Sequence, residues 1–311
     1  WTLLEIKVPR EDAKSPKAIE SILAGIHGTR RMGNFKERHW DGWTTANFSL
    51  EIVGNSTGVH FYIYTQKFFQ RMVESQIYAQ YPSCEIREVE DYTKDVPALL
   101  PNSEWTVWGS EFLLTKPDAY PIRTYEDFDL VDISTKEEER KIDPLAALLE
   151  FLGSLKGNEK FWIQILIQPS GEEWQKEGAA LVGKLMGKKA EPHVTFIGKL
   201  VDLVNGFAGV IFGIGGEAAE KKKDELFAPM FRLSPGEQDV LKALEKNMAK
   251  LGFDVGIRWI YVVPQKEFDY LAVPAIMGIF KQFNAPNLTG FKSNGNVVTS
   301  LDYWRVKPRV A

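Results

Sequence analysis

The sequence predicts an α+β protein made of two tandem, divergent ferredoxin-like units, of which the second carries a large helical insertion. Segments in which apolar and polar residues alternate, as in half-buried strands, are followed by segments with helical periodicity. In the first hundred residues these segments give the order βαββαβ, which is that of the ferredoxin-like fold. The second half repeats parts of this pattern, which indicates that one unit has been duplicated.

The first unit is assigned to residues 1–95 and begins with the alternating segment LLEIKVP. Ser15 and Pro16 predict the start of a helix, as N-cap and first helical residue, and Gly28 predicts its end. The segments FSLEIVG and VHFYIYT then lie on either side of the connection 55–58, which is typical of a β-hairpin. A second segment with helical periodicity and the alternating segment CEIREVE complete the βαββαβ order.

The second unit is assigned to residues 144–311 and contains two segments that parallel the first unit. One begins with the strand pattern KFWIQILIQ and the other with VGIRWIYVV, and each continues into an amphipathic helix. An insertion at about 188–252 separates them, and its last helix is predicted to begin after the N-cap Ser234 and to end by Gly252. The residues between the units, 96–143, are interpreted as a linker with one or two strands.

Composition restricts the classes of function. The chain has 38 basic and 42 acidic side chains and a net charge of -4, so no global field attracts nucleic acid or anionic lipid. Its single cysteine, Cys84, excludes an internal disulfide and a cysteine-rich zinc site, and favours a reducing compartment. No apolar run is long enough to span a bilayer. Because Trp1 opens directly into a strand pattern, we interpret the chain as a piece of a longer polypeptide.

The sequence contains no constellation that predicts catalysis. It lacks a phosphate-binding G-x-x-x-x-G-K-[ST] loop, and the glycine cluster at 213–216 has neither a preceding strand nor an acidic ribose partner. The four histidines stand far apart, without the spacing of metal ligands: they are His27, His39, His60 and His193. Cys84 has no base beside it and is interpreted as a buried small side chain. We therefore predict no catalytic residue, no cofactor site and no metal site.

Two surfaces are candidates for nucleic-acid or partner contact. A loop interleaves basic and aromatic residues, the mixture that binds single-stranded nucleic acid through backbone charge and base stacking. Its candidate residues are Arg30, Arg31, Phe35, Lys36, Arg38, Trp40 and Trp43. The alternative, which we favour, is a loop folded back on its own domain. On the predicted sheet, Tyr62 and Tyr64 share the face that stacks bases in RNA-recognition motifs, although in a tandem protein that face more often packs on the other unit.

An apolar, glycine-rich segment of the insertion is a candidate for membrane or partner contact. Its apolar residues recur at helical spacing, as in a helix that lies on a membrane surface. They are Ile197, Leu200, Val201, Val204, Phe207 and Ile211. The polar side of this stripe carries little basic charge. Core packing, partner packing or a poorly ordered loop are therefore together favoured over membrane contact.

Several motifs together resemble a known family. They are WTLLEIKVPRE, SPKAIE, SLEIVG, VHFYIYT, VESQIYAQYP, EVEDYT, EFLLTKPDAYPIRTYEDF, IDPLAALLE and LSPGEQDVLKALEKNMAKLGFDVGIRWIYV. Over nearly the whole chain, this combination is similar to the region that precedes the motor in conjugation-type, type IV secretion DNA-transfer ATPases, in the form encoded by candidate-phyla bacteria. The resemblance implies membrane segments near the N-terminus, a non-catalytic α/β region and a hexameric RecA-like ATPase. This chain would be the middle part, so no catalytic residue is carried over.

These observations predict a non-enzymatic assembly and docking module of a membrane-associated DNA-translocating ATPase. Its expected partners are other subunits or domains of a secretion or conjugation apparatus. We also expect the full-length protein to form a homo-oligomer and to contact DNA through the motor. No small-molecule substrate is expected. The expected location is the cytoplasmic face of the membrane, through segments outside this chain. Two alternatives remain open: a module that binds single-stranded nucleic acid, and a small-molecule enzyme whose site lies between the units.

Overall fold

A single antiparallel sheet of eight strands organises the protein. The computed structural model describes residues 1–9, 14–31, 33–40, 42, 44–130, 143–186 and 233–297, with the side chain of Arg38 excepted. The strands are β1 (Thr2–Lys7), β2 (Phe48–Asn55), β3 (Gly58–Thr65), β4 (Glu85–Val89), β5 (Trp105–Leu114), β6 (Lys160–Pro169), β7 (Phe253–Pro264) and β8 (Phe291–Ser293). Their order is β4-β1-β3-β2-β6-β7-β5-β8, and every neighbouring pair is antiparallel. The α+β class predicted from the sequence is thereby confirmed.

Seven α-helices connect these strands in the described part of the chain. They are α1 (Lys17–His27), α2 (Phe35–His39), α3 (Gln70–Gln80), α4 (Ala146–Gly153), α5 (Glu173–Leu185), α6 (Pro235–Met248) and α7 (Ala272–Lys281). In chain order, α1 follows β1, α3 follows β3, α4 follows β5 and α7 follows β7. The remaining long helices, α5 and α6, both lie between β6 and β7 and pack against each other.

Local sequence signals explain where several elements begin and end. The predicted hairpin connection is confirmed, because β2 ends at Asn55 and β3 begins at Gly58. The side chain of Asn55 accepts a hydrogen bond from the backbone N–H of Thr57 at 2.8 Å, and Gly58 has a φ of 122°, which a residue with a Cβ rarely adopts. Ser234 is confirmed as the N-cap of α6, where it forms a capping box with Glu237.

The predicted start of α1 is wrong by one residue. Pro16, rather than Ser15, occupies the N-cap position, and its side chain makes no capping hydrogen bond. The Ser15 Oγ accepts from the backbone N–H of Lys17 at 3.4 Å, and its hydroxyl donates to the backbone carbonyl of Leu130 at 2.8 Å. Ser15 therefore ties the start of α1 to a segment that is distant in sequence. The predicted end of this helix at Gly28 is confirmed.

The two halves of the sheet meet where β2 pairs with β6. Their register runs from Phe48 opposite Ile167 to Gly54 opposite Phe161, without interruption. The strand β5 falls in the region that the sequence assigned to a linker, and it lies inside the sheet, between β7 and β8. All eight strands thus belong to one continuous hydrogen-bonded layer.

One face of the sheet carries most of the hydrophobic core. Ile26 of α1 and Val73 of α3 are fully buried against this face, together with Phe48 of β2. A second cluster lies between α4, α7 and the sheet, where Leu152 of α4 and Trp259 of β7 are fully buried. Because successive strand residues point to opposite faces, the residues that alternate with these apolar ones lie on the other side of the sheet.

The helices α5 and α6 have a small core of their own. Val182 and Leu244 are fully buried there, and Ala119 from the segment after β5 joins them. The two helices approach closely at Gly178, because a Cβ at that position would lie 2.5 Å from the sulfur of Met248. The pair therefore forms a packed unit of its own, which in the sequence lies between β6 and β7.

Candidate functional site

The face of the sheet opposite the helices carries a row of polar side chains across most of its width. From β4 to β5 its members, each opposite the next in register, are Arg87, Glu5, Tyr62, Glu51, Gln164, Arg258 and Glu111. The row crosses the junction of β2 and β6, so both halves of the sheet contribute to it. We call this surface the open face.

Tyr92, from the connection after β4, lies over the centre of this row. Its hydroxyl donates to Oε2 of Glu51 at 2.6 Å and accepts from Nε2 of Gln164 at 2.7 Å. Oε1 of Gln164 in turn accepts from Nε of Arg258 at 2.6 Å. The ring of Tyr92 also stacks on Tyr62. One chain of hydrogen bonds therefore joins the connection to three strands of the sheet.

A groove of about 360 Å³ lies beside Tyr92 on the open face. Ser49 and Glu51 of β2 and Leu166 of β6 contribute to its centre, Trp1 and Tyr64 to one side, and Arg258 to the other. Trp1 stacks on Tyr64 with ring centroids 5.0 Å apart, and Leu166 is 40 % exposed. The groove thus combines exposed apolar groups with polar groups held in fixed positions.

Burial and pairing shift the pKa values of several groups on the open face. Burial alone would raise the pKa of the Glu5 carboxyl, but a 2.8 Å hydrogen bond with His60 and the charge of Lys7 outweigh it, so this pKa lies below its ordinary value. Burial raises the pKa of Tyr62 to about 12, and it raises the pKa of Tyr92 as well. Both phenols are therefore neutral at neutral pH and can donate hydrogen bonds.

The two tyrosines predicted on the open face lie there, and their rings contact neighbouring aromatic rings. Tyr62 is in stacked contact with His60 and with Tyr92, at centroid distances of 6.0 and 5.5 Å. Tyr64 stacks on Trp1. These contacts favour packing as the role of the two tyrosines, since a base would have to compete with rings already in place.

The basic-aromatic loop lies at a second groove, of about 510 Å³. Arg30 and Arg31 line this groove together with Lys176 of α5, and all three are exposed. Arg31 is paired with Glu37. The loop therefore brings three cations to one surface, although Glu172 and two further acidic residues line it too.

The other predicted residues of this loop are partly described. Phe35 and Trp40 are exposed and pack edge to face, with ring centroids 5.7 Å apart, and Lys36 is exposed on α2. The side chain of Arg38 and the whole of Trp43 lie outside the described residues. The described aromatic residues thus remain accessible to a ligand.

The predicted membrane or partner segment lies outside the described residues. Its members are Ile197, Leu200, Val201, Val204, Phe207 and Ile211. Within the described ranges, no helix has both the length and the apolar character needed to cross a bilayer. In the same part of the chain, no group of three or more His, Cys, Asp or Glu side chains is arranged to hold a metal ion.

The centre of the open-face site was missed by sequence reasoning. Glu51, Gln164 and Arg258 occupy polar positions of alternating strands, where each looks like an ordinary solvent-facing residue. Tyr92 follows β4 and belongs to no periodic pattern. A charged residue in the middle of a strand pattern whose other members are apolar or small, such as Glu51 in FSLEIVG, is the signal that could have drawn attention to this row.

Comparison with protein-family models identifies a family for this chain. The family model described as "Domain of unknown function (DUF8128)" matches residues 1–293, which end with β8. No significant match was found among curated proteins or among solved structures. Because the family model covers 293 of the 311 residues and all the strands and helices described above, this chain belongs to the DUF8128 family.

Proposed function

We propose that this chain is a non-catalytic assembly and docking module of a membrane-associated, DNA-translocating ATPase of the type IV secretion or conjugation class. The observation that carries the docking role is the open-face groove. There, the exposed apolar groups of Trp1 and Leu166 lie beside polar groups that are already hydrogen-bonded to one another. Apolar area next to fixed polar groups is typical of protein interaction sites. The secretion context rests on the sequence resemblance.

The proposal includes a division into two ferredoxin-like units. The first would be β1-α1-β2-β3-α3-β4, with the sheet order β4-β1-β3-β2. The second would be β5-α4-β6-β7-α7-β8, with the equivalent order β8-β5-β7-β6. This assignment makes β5 the first strand of the second unit, which then begins near Trp105. The pair α5 and α6 would replace the short hairpin that joins β2 to β3 in the first unit.

The proposed mechanism is geometric. The module would bind neighbouring subunits or the membrane platform of the apparatus and hold the motor in position. Segments outside this chain would place it at the cytoplasmic face of the membrane, and the full-length protein would form a homo-oligomer. DNA would be contacted by the motor rather than by this module.

The test is binding between this chain and the purified ATPase region of the same apparatus, measured by isothermal titration calorimetry. We expect Leu166→Glu to weaken binding at least about tenfold, because it places a charge in the apolar part of the groove. Leu145→Glu is the matched control, because Leu145 is 39 % exposed, close to the 40 % of Leu166, and lies at the start of α4. Lack of binding by the unsubstituted chain would contradict the proposal.

A second candidate function is binding of single-stranded nucleic acid. The observation that favours it is the convergence of Arg30, Arg31 and Lys176 on one groove, with Phe35 and Trp40 exposed in the same loop. Such a surface could contact phosphates and stack bases.

Fluorescence anisotropy with single-stranded DNA over a salt series tests this candidate. If it is right, log affinity falls linearly with log salt, with a slope of about -0.7 per neutralised phosphate. Charge reversal of Arg30 and Arg31 to Glu should then abolish binding. The double variant Arg71→Glu and Lys242→Glu is the control, because both residues are exposed on other helices. Binding that survives the Arg30 and Arg31 reversal would rule out this loop.

A further inference from the structure

We propose that the open-face groove recognises a basic side chain, Lys or Arg, of the partner protein, with Glu51 as its counter-ion. This inference rests on the proposed docking function and specifies what the groove would bind. It follows from three features of the groove: a buried carboxylate, a hydroxyl without a partner, and an aromatic wall.

The carboxylate of Glu51 is buried without a cation. Glu51 is 6 % exposed, and its Oε2 accepts the hydrogen bond from Tyr92 at 2.6 Å. Within the described part of the chain it forms no ion pair, and its link to Arg258 passes through Tyr92 and Gln164. A buried charge is costly unless it is paired, so this carboxylate is a strong attractor for a cation that enters the groove.

The hydroxyl of Ser49 points to the same chemistry. Ser49 lies two residues before Glu51 on β2, hence on the same face of the sheet. It is 7 % exposed, lines the groove, and its Oγ has no hydrogen-bond partner among the described residues. Because this oxygen itself is shielded from solvent, an entering ammonium or guanidinium group would donate to the Glu51 carboxylate first and would reach Ser49 Oγ only after a local shift of the groove wall.

The sides of the groove determine how such a group would enter. Trp1 and Tyr64 form a stacked aromatic pair on one side, and the face of an aromatic ring attracts a cation. Arg258 lies on the other side, on β7, two strands from β2, and its Nε donates to Gln164 on the strand between them. Since Arg258 repels a cation, the basic group is expected on the Trp1 side. An adjacent acidic or neutral residue of the partner would then face Arg258.

Capped five-residue peptides test this specificity. The probes are acetyl-Gly-Leu-Lys-Leu-Gly-amide and its variants with Arg, norleucine or Glu in the central position, titrated against the chain and followed by NMR chemical-shift changes. We expect the Lys and Arg peptides to bind at least about tenfold more tightly than the norleucine and Glu peptides. Equal binding of the norleucine peptide, or preference for the Glu peptide, would overturn the proposal. Equally tight binding of butylammonium would also overturn it, because the groove would then be a site for small amines.

The variant Glu51→Gln tests whether the Glu51 carboxylate is responsible for the preference for basic peptides. Its amide oxygen can still accept the Tyr92 hydrogen bond, so the fold is expected to persist, which urea denaturation checks. We expect the Lys peptide to bind this variant at least about tenfold more weakly. The control Glu111→Gln, which removes an exposed charge from the same polar row, should leave affinity unchanged. Unchanged affinity of Glu51→Gln would overturn the proposal.

Failure of this inference can be told apart from failure of the docking proposal. If the ATPase region binds the unsubstituted chain and Glu51→Gln equally well, only the assignment to a basic side chain is wrong. If the ATPase region binds neither protein, the docking function itself is wrong, whatever the peptides do.

Discussion

Replacing Tyr92 with alanine should lower the free energy of unfolding by about 3–5 kcal/mol, the range typical of a large buried aromatic side chain. Tyr92 is 9 % exposed, and its ring packs against Tyr62 and Trp162 with centroids 5.5 and 5.1 Å away. The substitution leaves a cavity over the junction of the two halves. It also removes the hydrogen-bond partner shared by Glu51 and Gln164.

The variant Tyr92→Phe separates the hydroxyl from the ring. It should lower the free energy of unfolding by about 1–3 kcal/mol, because the buried Glu51 and Gln164 side chains lose a partner while the ring contacts remain. Urea denaturation followed by tryptophan fluorescence and far-UV circular dichroism measures both variants. Tyr270→Ala is the control, since Tyr270 is exposed and should change stability by no more than about 0.5 kcal/mol. A Phe variant as stable as the unsubstituted protein would contradict the role given to the hydroxyl.

Replacing Leu152 with alanine should lower the free energy of unfolding by about 2–5 kcal/mol. Leu152 is fully buried on α4 and packs directly on Gly54, where an added Cβ would lie 2.9 Å from the Cβ of Leu152. Gly54 belongs to β2 and lies opposite Phe161 of β6. Leu152 therefore holds a helix against the place where the two halves of the sheet join.

A double-mutant cycle tests this contact. Gly54→Ala alone should cost about 1–3 kcal/mol, because the new methyl group would lie 2.9–3.0 Å from atoms of Leu152 and Leu155. Combined with Leu152→Ala, it should cost less than the sum of the two, because the leucine Cδ2, 3.0 Å from the new methyl group, is removed while the Cβ of residue 152 stays. Urea denaturation gives each value, and Leu251→Ala serves as an exposed control. Effects that add to within about 0.5 kcal/mol would contradict the contact.

Features of the fold that depend on neighbouring residues were predictable from the sequence. The hairpin between Asn55 and Gly58 and the cap at Ser234 each arise from a few consecutive residues, whose hydrogen bonds close locally. The start of α1 shows the limit of such reasoning. There, the Ser15 hydroxyl donates to the carbonyl of Leu130, and no local pattern contains that information.

The pairing of distant strands was not predictable in the same way. Alternation in β2 and β6 shows that each strand has an apolar face, but it does not show that the two strands are neighbours. Likewise, the pattern of β5 fits an isolated linker strand as well as an interior one. The open-face site depends on the pairing of β2 with β6 and of β6 with β7, because Glu51, Gln164 and Arg258 come together only through the register of these three strands. Its residues could be found only once the register was known.

The uninterrupted register of β2 and β6 has a mechanical consequence. Two halves that share one sheet cannot swing about a flexible hinge, so a displacement of one half carries the other with it. Tension applied along these strands would load the backbone hydrogen bonds from Phe48 to Gly54 side by side, rather than opening them one at a time. A force applied to one half of the sheet would therefore reach the other half without bending at their junction.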